Sequence, residues 1–265
     1  MQRIRVFLKK YNQVLLGILL AVLSSVSFAE KINIAAASDL KYAMDEIVTQ
    51  FKKAHPEDDV EVIYGSSGKI FTQIQNQAPY DLYFSADISY PEKLEATGLT
   101  AGPTKPYAYG RIALWNPKTQ LDAAQLRLED LTRADITRIA IANPKHAPYG
   151  KRAEEALRSK NLWDSVEPKL VYGENIAQTA QFVQTGNAQV GIIALSLALS
   201  DALSKQGAYW LIPDTLHSPL KQGFVITKRA EANQAAKKFS NYMASAEARK
   251  IMVRYGFTLP DDAGQ

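Results

Sequence analysis

Four short loops carry the residue types that could bind an anion. Each follows an apolar stretch that predicts a strand and precedes a pattern that predicts a helix. The loops are Ala37-Ser38-Asp39, Gly65-Ser66-Ser67-Gly68, Ala147-Pro148-Tyr149-Gly150 and Gly173-Glu174-Asn175-Ile176. The first N–H groups of a helix have no carbonyl partner within it, and the positive end of the helix dipole lies behind them, so helix starts attract anions. Because these loops contain no arginine, the pattern favours an oxyanion held by neutral donors.

The same loop residues also have purely structural interpretations. Ser38 is of a type that commonly caps a helix, Pro148 suits the first helical position, and glycine and serine are common turn residues. Asp39 in a first helical turn is favourable to the dipole without any ligand. Because a carboxylate would repel an anion, we expect the Asp39 side chain to turn away from the cleft, with only its backbone N–H contributing. The nearby lysines are expected to be solvated: Lys69, Lys145 and Lys151.

The elements that must position these loops follow from the hydrophobic periodicity. Residues 31–37 have the pattern of a buried strand, and apolar residues then recur at helical spacing between Leu40 and Phe51. Strand and helix alternate in this way along the chain, which predicts right-handed crossovers and mostly parallel sheets. Two extended stretches, 107–115 and 223–227, are expected to carry the chain between two lobes.

We therefore predict an α/β protein of two lobes, each a mostly parallel sheet flanked by helices. Lobe I is assigned residues 30–108 and 224–265, and lobe II residues 109–223. Two crossover segments join the lobes and are expected to act as hinges. A ligand cleft should lie between the lobes, where strand ends and helix starts converge.

The first residues have the features of a signal peptide. Four basic residues precede the apolar stretch 14–23, which is too short to span a bilayer, and small residues follow up to Ala29. We predict cleavage after residue 29 and a periplasmic protein. The whole chain has 31 basic and 27 acidic residues, and residues 1–29 hold four basic and no acidic ones, so the remainder balances at 27 of each. This balance argues against a nucleic-acid partner.

Signatures of enzymes are few. The loop 65–68 is not a G-x-S-x-G nucleophile elbow, no H-E-x-x-H occurs, and the chain has no cysteine. The histidines His55, His146 and His217 lack metal-ligand spacing, so we expect no cofactor and no direct metal ligands. His146 alone lies beside a candidate loop, and a serine hydrolase using Ser67 and His146 stays open as an alternative.

Several motifs, taken in order and spacing, resemble the periplasmic molybdate-binding proteins of molybdate ABC transporters. They are the stretches 35–40 (AAASDL), 65–68 (GSSG), 81–87 (DLYFSAD), 143–150 (NPKHAPYG) and 254–257 (RYGF). The resemblance runs along the whole chain after the predicted leader. It implies a type II periplasmic-binding-protein fold, a monomer without catalytic activity, molybdate or tungstate as ligand, and an inner-membrane ABC permease as partner.

The resemblance also implies which residues would bind the oxyanion. From lobe I, Ser38 and Ser67 would donate through their hydroxyl and backbone N–H groups. From lobe II, Tyr149 would donate its N–H, with its phenol as a further candidate, and Ile176 would donate its N–H. Asp39 would add at most its backbone N–H.

One position departs from the pattern of the family. Many members have a tyrosine near the end of the strand 191–196, where this chain has Ala194. Either the hydroxyl of Tyr149 or that of Ser196 replaces the missing tyrosine hydroxyl, or the protein is specific for a different oxyanion. Other tetrahedral oxyanions (sulfate, phosphate, chromate) and a sensor that binds the same ion without transport stay open. A site made only of donors would reject phosphate, whose remaining proton needs an acceptor, whereas an inward Asp39 would favour it.

Overall fold

The structure, a computed structural model, describes residues 30–118 and 125–260. The predicted signal peptide, residues 1–29, lies outside the described residues. Within the described part of the chain, no helix has both the length and the apolar character needed to cross a membrane.

The first lobe is a five-stranded sheet flanked by helices, with strand order β2-β1-β3-β10-β4. Its strands are β1 (Lys31–Ala37), β2 (Asp59–Gly65), β3 (Leu82–Ser85), β4 (Lys105–Gly110) and β10 (Leu220–Ile226). Its helices are α1 (Lys41–Ala54), α2 (Ser67–Gln75), α3 (Ser89–Ala96), α9 (Gln234–Tyr242) and α10 (Ala246–Arg254). A 3-10 turn, Ser38–Leu40, joins β1 to α1.

The second lobe repeats this architecture, with strand order β7-β6-β8-β5-β9. Its strands are β5 (Ile112–Pro117), β6 (Ile139–Ala142), β7 (Leu170–Gly173), β8 (Val190–Ala194) and β9 (Gly207–Leu211). Its helices are α4 (Pro148–Ser159), α5 (Trp163–Val166), α6 (Ile176–Gln184), α7 (Leu195–Ala198) and α8 (Asp201–Ser204). The predicted two-lobed α/β architecture is therefore confirmed.

The strands beside the crossings run antiparallel to their neighbours, so both sheets are mixed, whereas the sequence predicted mostly parallel sheets. In the first lobe β1 is parallel to β2 and β3, whereas β10 is antiparallel to β3 and β4. In the second lobe β6 is parallel to β7 and β8, whereas β5 is antiparallel to β8 and β9. The stretch predicted as one long strand at 107–115 is two strands in different sheets, separated by Arg111 alone.

The chain passes between the lobes at Arg111 and again just before Leu220. Residues 109 and 110 and the start of β10 pair with each other in the first sheet, although the sequence-based boundaries assign them to lobe II. The chain therefore leaves the first lobe at the end of β4 and returns to it at the start of β10, and these two strands are adjacent in the sheet. This arrangement leaves the loops at the strand ends of both sheets facing one shared seam.

The hydrophobic cores explain why the helices and strands have these patterns. In β1, Ile32, Ile34 and Ala36 pack into the core on one face of the first sheet, and Ala35 packs into the core on the other face. The predicted apolar positions of α1 are all buried, from Leu40 to Phe51. A separate core fills the second lobe. Each lobe therefore has its own core, and the seam between them is lined mainly by loops.

Candidate functional site

The four candidate loops meet at the seam around one small cavity. All five residues predicted for the site lie in its wall: Ser38, Asp39, Ser67, Tyr149 and Ile176. The rest of the wall consists of small or apolar residues together with Ser66, and these are Ala37, Gly65, Ser66, Ala86, Ala147 and Pro148. The wall contains no lysine, arginine or histidine, so positive potential in the cavity comes from backbone dipoles and neutral donors.

Ser38 connects the two lobes and does not cap its own helical turn. It begins the turn Ser38–Leu40, in which no side chain forms a capping hydrogen bond. Its hydroxyl donates to Asn175 Oδ1 at 3.1 Å and accepts from the backbone N–H of Ala177 at 3.2 Å. The capping interpretation of Ser38 is therefore wrong. Because the hydroxyl proton is directed to Asn175, the donor that Ser38 offers directly to the cavity is its backbone N–H.

Ser67 is the first residue of α2 and is held by the end of strand β3. Its hydroxyl accepts from the backbone N–H of Ala86 at 3.0 Å, and its carbonyl accepts from the Tyr83 hydroxyl at 2.7 Å. A serine hydroxyl has one proton to donate, and the bond from Ala86 does not use it. Ser67 can therefore offer both that proton and its backbone N–H to a ligand in the cavity.

Two helices of the second lobe point their first turns at the same cavity. Helix α4 begins at Pro148, whose fixed backbone angle suits that position, and the N–H of Tyr149 follows in the first turn. Helix α6 begins at Ile176, after Asn175 caps it by accepting from the N–H of Gln178 at 3.0 Å. N–H groups in a first turn lack intrahelical carbonyl partners. Both helices therefore supply donors opposite those of Ser38 and Ser67.

The phenol of Tyr149 takes part in a buried hydrogen-bonded group with Asp39 and Gln222. The Tyr149 hydroxyl donates to Asp39 Oδ2 at 3.0 Å, and Gln222 Nε2 donates to the same oxygen at 2.8 Å. Gln222 Nε2 also lies 3.1 Å from the Tyr149 hydroxyl. A side chain on Gly110 would overlap the phenol oxygen, which explains a glycine at the crossing. We call these three residues the carboxyl triad.

The position of Asp39 differs from the sequence-based expectation. Its carboxyl is not turned away from the cleft: the residue is 1 % exposed and is bonded across the seam, and Oδ1 has no hydrogen-bond partner. Burial raises the pKa of this carboxyl to about 6, opposed mainly by the hydrogen bonds from Gln222 and Tyr149. The sequence could not anticipate this because the partners are 110 and 183 positions away.

Of the two hydroxyls considered for the position of Ala194, only one belongs to the cavity wall. Ser196 donates to the backbone carbonyl of Asp39 at 2.7 Å and is not part of the wall. Tyr149 is part of it. Of the two residues only Tyr149 belongs to the wall, and its hydroxyl proton is directed to Asp39.

A set of contacts beside the cavity joins the lobes and was missed by the sequence analysis. Ser66 Oγ lies 3.0 Å from His146 Nδ1, and the N–H of Gly68 donates to the His146 carbonyl at 2.9 Å. Lys69 pairs with Glu174 of the second lobe. We call these five residues the seam contacts. The signal that could have revealed them is that Ser66, Gly68 and Glu174 belong to loops already assigned to the cleft, while Lys69 and His146 are directly adjacent to such loops.

The seam contacts also bear on the alternative of a serine hydrolase. The predicted pair does not form, because His146 contacts Ser66, whereas Ser67 is bonded to Ala86. The other ring nitrogen, His146 Nε2, lies 3.7 Å from Glu174, which exceeds hydrogen-bond length. Burial lowers the pKa of His146. The geometry of a nucleophile, base and orienting acid is therefore missing at these residues.

The lysines near the loops behave largely as expected. Lys69, Lys145 and Lys151 are all exposed. Lys69 differs from the expectation in pairing with Glu174 across the seam.

Comparison with known proteins gives the same placement in a family. The profile of the bacterial extracellular solute-binding proteins matches residues 32–258. The molybdate-binding protein ModA of Azotobacter vinelandii is 35% identical over 241 residues, covering 90% of this chain and 94% of the relative. ModA of Rhodobacter capsulatus is 35% identical over 198 residues, covering 73% and 75%.

Solved structures agree with the sequence relatives. The periplasmic molybdate-binding protein of Azotobacter vinelandii superposes with a TM-score of 0.78 at 31% identity, covering 86% of this chain and 99% of that one. The sulfate-binding protein SubI of Mycobacterium tuberculosis shares the fold, with a TM-score of 0.74 at 14% identity and 88% of each chain covered. The chain therefore belongs to the bacterial extracellular solute-binding proteins and, within them, to the ModA family.

Proposed function

We propose that this protein is a periplasmic substrate-binding protein that captures a fully ionised tetrahedral oxyanion, molybdate or tungstate, and delivers it to an ABC permease. The observation that carries the proposal is the meeting of four helical N-termini from two lobes at one small cavity without a cationic side chain. The names of the relatives, which are molybdate-binding proteins, support the choice of ion. Capture and release require no bond to be made or broken, so we propose no catalytic step and no cofactor.

The proposed ligand contacts come from both sides of the seam. The N–H groups of Ser38 and Ser67 and the Ser67 hydroxyl serve from the first lobe, and the N–H groups of Tyr149 and Ile176 from the second. Hydrogen bonds to an ionised acceptor contribute about 1.5–3 kcal/mol each. Because neither lobe provides all of these donors, the anion stabilises the arrangement in which the lobes are together. The backbone N–H of Asp39 is a further candidate, and no residue would bind the metal atom directly.

A second candidate ligand follows from the carboxyl triad. A cavity with donors only would reject an anion that carries a proton, such as hydrogen phosphate, because that proton needs an acceptor. The buried Oδ1 of Asp39 has no partner and is an acceptor when the carboxyl is ionised. The sequence analysis expected this carboxyl to turn away from the cleft, so its burial at the seam makes phosphate a stronger candidate. Sulfate and chromate are tetrahedral oxyanions like molybdate and remain candidates. The affinity of the protein for each of these oxyanions, measured by titration, therefore decides among them.

The binding test uses calorimetric titration of residues 30–265 with molybdate, tungstate, sulfate, phosphate and chromate. We expect saturable heat with molybdate and tungstate. The Ser67→Ala variant removes a hydroxyl that faces the cavity and should weaken binding roughly 10-fold, which is about one charge-assisted hydrogen bond. Ser204→Ala changes an exposed serine of α8 and serves as the control. An absence of heat with molybdate and tungstate would refute the proposed ligand.

The transport test separates a receptor from a sensor that binds the same ion. Deletion of the gene should reduce uptake of molybdate by the cells at low external concentration, and a plasmid copy should restore it. A sensor would leave the initial rate of uptake unchanged. Cell fractionation should find the protein in the periplasm, with residues 1–29 removed, and size-exclusion chromatography should find a monomer.

A further inference from the structure

We propose that Asp39 couples anion capture to proton uptake: its carboxyl accepts one proton when a tetrahedral dianion enters the cavity. The inference rests on the proposed function, because it requires the cavity to be the oxyanion site. Beyond that function, the negative charge of the Asp39 carboxylate would be lost when the anion binds. The affinity of the protein for a dianion would then depend on pH through a single buried group.

The first support is the position of the carboxyl. Asp39 is 1 % exposed and belongs to the cavity wall, so an anion in the cavity and the carboxylate would share one water-poor space. One oxygen, Oδ2, accepts from Tyr149 and Gln222, whereas Oδ1 is buried without a partner. A proton on Oδ1 would turn this unsatisfied acceptor into a donor. Protonation therefore removes a repulsive charge from the cavity wall.

The second support is that the charged and titratable groups around Asp39 do not neutralise it. From α4 and β4 it is faced by two phenols, Tyr149 and Tyr107, whose pKa values burial raises well above their ordinary value, so both are neutral. Strand β10 presents the uncharged Gln222. Helices α6 and α7 contain no titratable residue in their ranges. In α1, the ammonium of Lys41 lies 3.8 Å from Asp45.

The arginines near the crossings are engaged elsewhere. Arg111 pairs with Asp214 at 3.7 Å, and Arg152 pairs with Glu155 at 2.7 Å. Neither forms an ion pair with Asp39 among the described residues. A carboxylate at this place is thus held by neutral donors only, like the anion that the cavity is proposed to bind.

The proton balance follows from these surroundings. Burial already raises the pKa of Asp39 to about 6, so at pH 7 about one carboxyl in ten is protonated before the anion enters. A dianion beside it disfavours the charged form further and raises its pKa again. Binding at pH 7 would therefore take up as much as about 0.9 proton per anion. The affinity would be highest below pH 6, fall up to about tenfold per pH unit above it, and level off above the pKa in the complex.

The experiment is calorimetric titration of residues 30–265 with sodium molybdate at pH 7 in two buffers of different ionisation enthalpy. The difference in heat gives the number of protons taken up, which we expect to lie between about 0.5 and 0.9. Between pH 6 and pH 8 the affinity should fall by up to about 50-fold. Asp39→Asn should bring proton uptake close to zero and flatten this pH profile. Its absolute affinity need not equal that of the parent.

A second measurement does not depend on the variant binding the anion. Infrared difference spectra of the parent protein, recorded with and without molybdate at pH 7, should gain a band of a protonated carboxyl. Anion binding without proton uptake and without this band would overturn the inference while leaving the proposed function intact. Uptake that persists in Asp39→Asn would assign the proton to another group, such as His146, and would also overturn it. An absence of binding by every oxyanion would instead refute the proposed function.

Discussion

Gly68 is the position where a single methyl group should hold the two lobes apart. It lies in the first turn of α2, and its N–H donates to the backbone carbonyl of His146 in the second lobe at 2.9 Å. A Cβ built on Gly68 would lie 2.8 Å from that carbonyl oxygen and 2.9 Å from the Tyr90 hydroxyl. The Tyr90 side chain can move, but the His146 carbonyl is backbone. The methyl group of Gly68→Ala therefore clashes with the second lobe when the lobes are in contact.

The expected magnitude follows from two opposing effects. Overpacking of one methylene typically costs about 1–3 kcal/mol, and here the cost falls on the arrangement with the lobes together. Replacing glycine by alanine inside a helix favours the helix by roughly 0.5–1 kcal/mol. Separation of the lobes relieves the clash without disturbing either core. We therefore expect Gly68→Ala to leave the stability of the lobes nearly unchanged while raising the Kd for molybdate by about 5- to 150-fold.

The assay combines calorimetry with small-angle scattering. Titration gives the Kd, thermal melting without anion gives the stability, and scattering at saturating molybdate shows whether the variant is more extended than the parent. Gly102→Ala is the matched control, because a Cβ there meets nothing within 4 Å. Unchanged affinity of Gly68→Ala together with parent-like scattering would refute the reasoning. That result would mean that the His146 carbonyl does not contact α2 when the anion is bound.

Two further predictions concern charged groups at the seam. Lys69→Met removes the exposed ion pair with Glu174, and since such pairs contribute about 0.2–1 kcal/mol, stopped-flow measurement should find molybdate release up to about fivefold faster at low salt. The difference in release rate should vanish at high salt. Lys145→Met, which changes another exposed lysine of the same region, is the control and should release molybdate at the parent rate. Equal release rates for Lys69→Met and the parent at low salt would contradict the role of the ion pair. Asp39→Asn should stabilise the anion-free protein, because the pKa of about 6 in the fold exceeds the ordinary 3.8. Folding thus favours the neutral carboxyl, and its ionisation lowers the free energy of unfolding by up to ~3 kcal/mol above pH 6 and not at all below pH 4. Urea unfolding should therefore find Asp39→Asn more stable than the parent at pH 8 but not at pH 4. A stabilisation of equal size at both pH values would contradict this explanation.

Proton-coupled capture and transport specificity are linked through the same carboxyl. If Asp39 ionises, the cavity contains an acceptor suited to hydrogen phosphate; if Asp39 is protonated, the cavity contains donors only and suits a dianion. The discrimination between these ligands would then be sharper at lower pH. The carboxyl triad, with its neutral Tyr149 and Gln222, keeps both forms accessible because it provides no fixed positive charge.

Sequence patterns predicted the loops that line the cavity, because the backbone structure of these loops is local. A strand followed by a small residue and a helix start is visible over a few positions, so Ser67, Tyr149 and Ile176 could be assigned to helix N-termini before their spatial arrangement was known. The alternation of strands and helices then predicted two lobes, because parallel pairing requires crossovers. The family motifs relied on the same local order.

Side-chain partners could not be predicted in this way, because they depend on how two separate lobes face each other. Ser38 has the residue type and position of a helix cap, yet its hydroxyl is bonded to Asn175, 137 positions away. The stretch 107–115 has a continuous extended pattern, but the chain changes sheet at Arg111. Hydrophobic periodicity does not register such a change of sheet.

The sequence alone determined the two-lobed fold, the helix N-termini that line the cavity and the family, since each depends on local patterns or ordered motifs. The tertiary structure decided which donors face one another, that His146 contacts Ser66 and not Ser67, and that the Asp39 carboxyl is buried at the seam. The physical reason is that a carboxyl's environment is set by its spatial neighbours. Tyr149 and Gln222 become neighbours of Asp39 only when the two lobes are in contact.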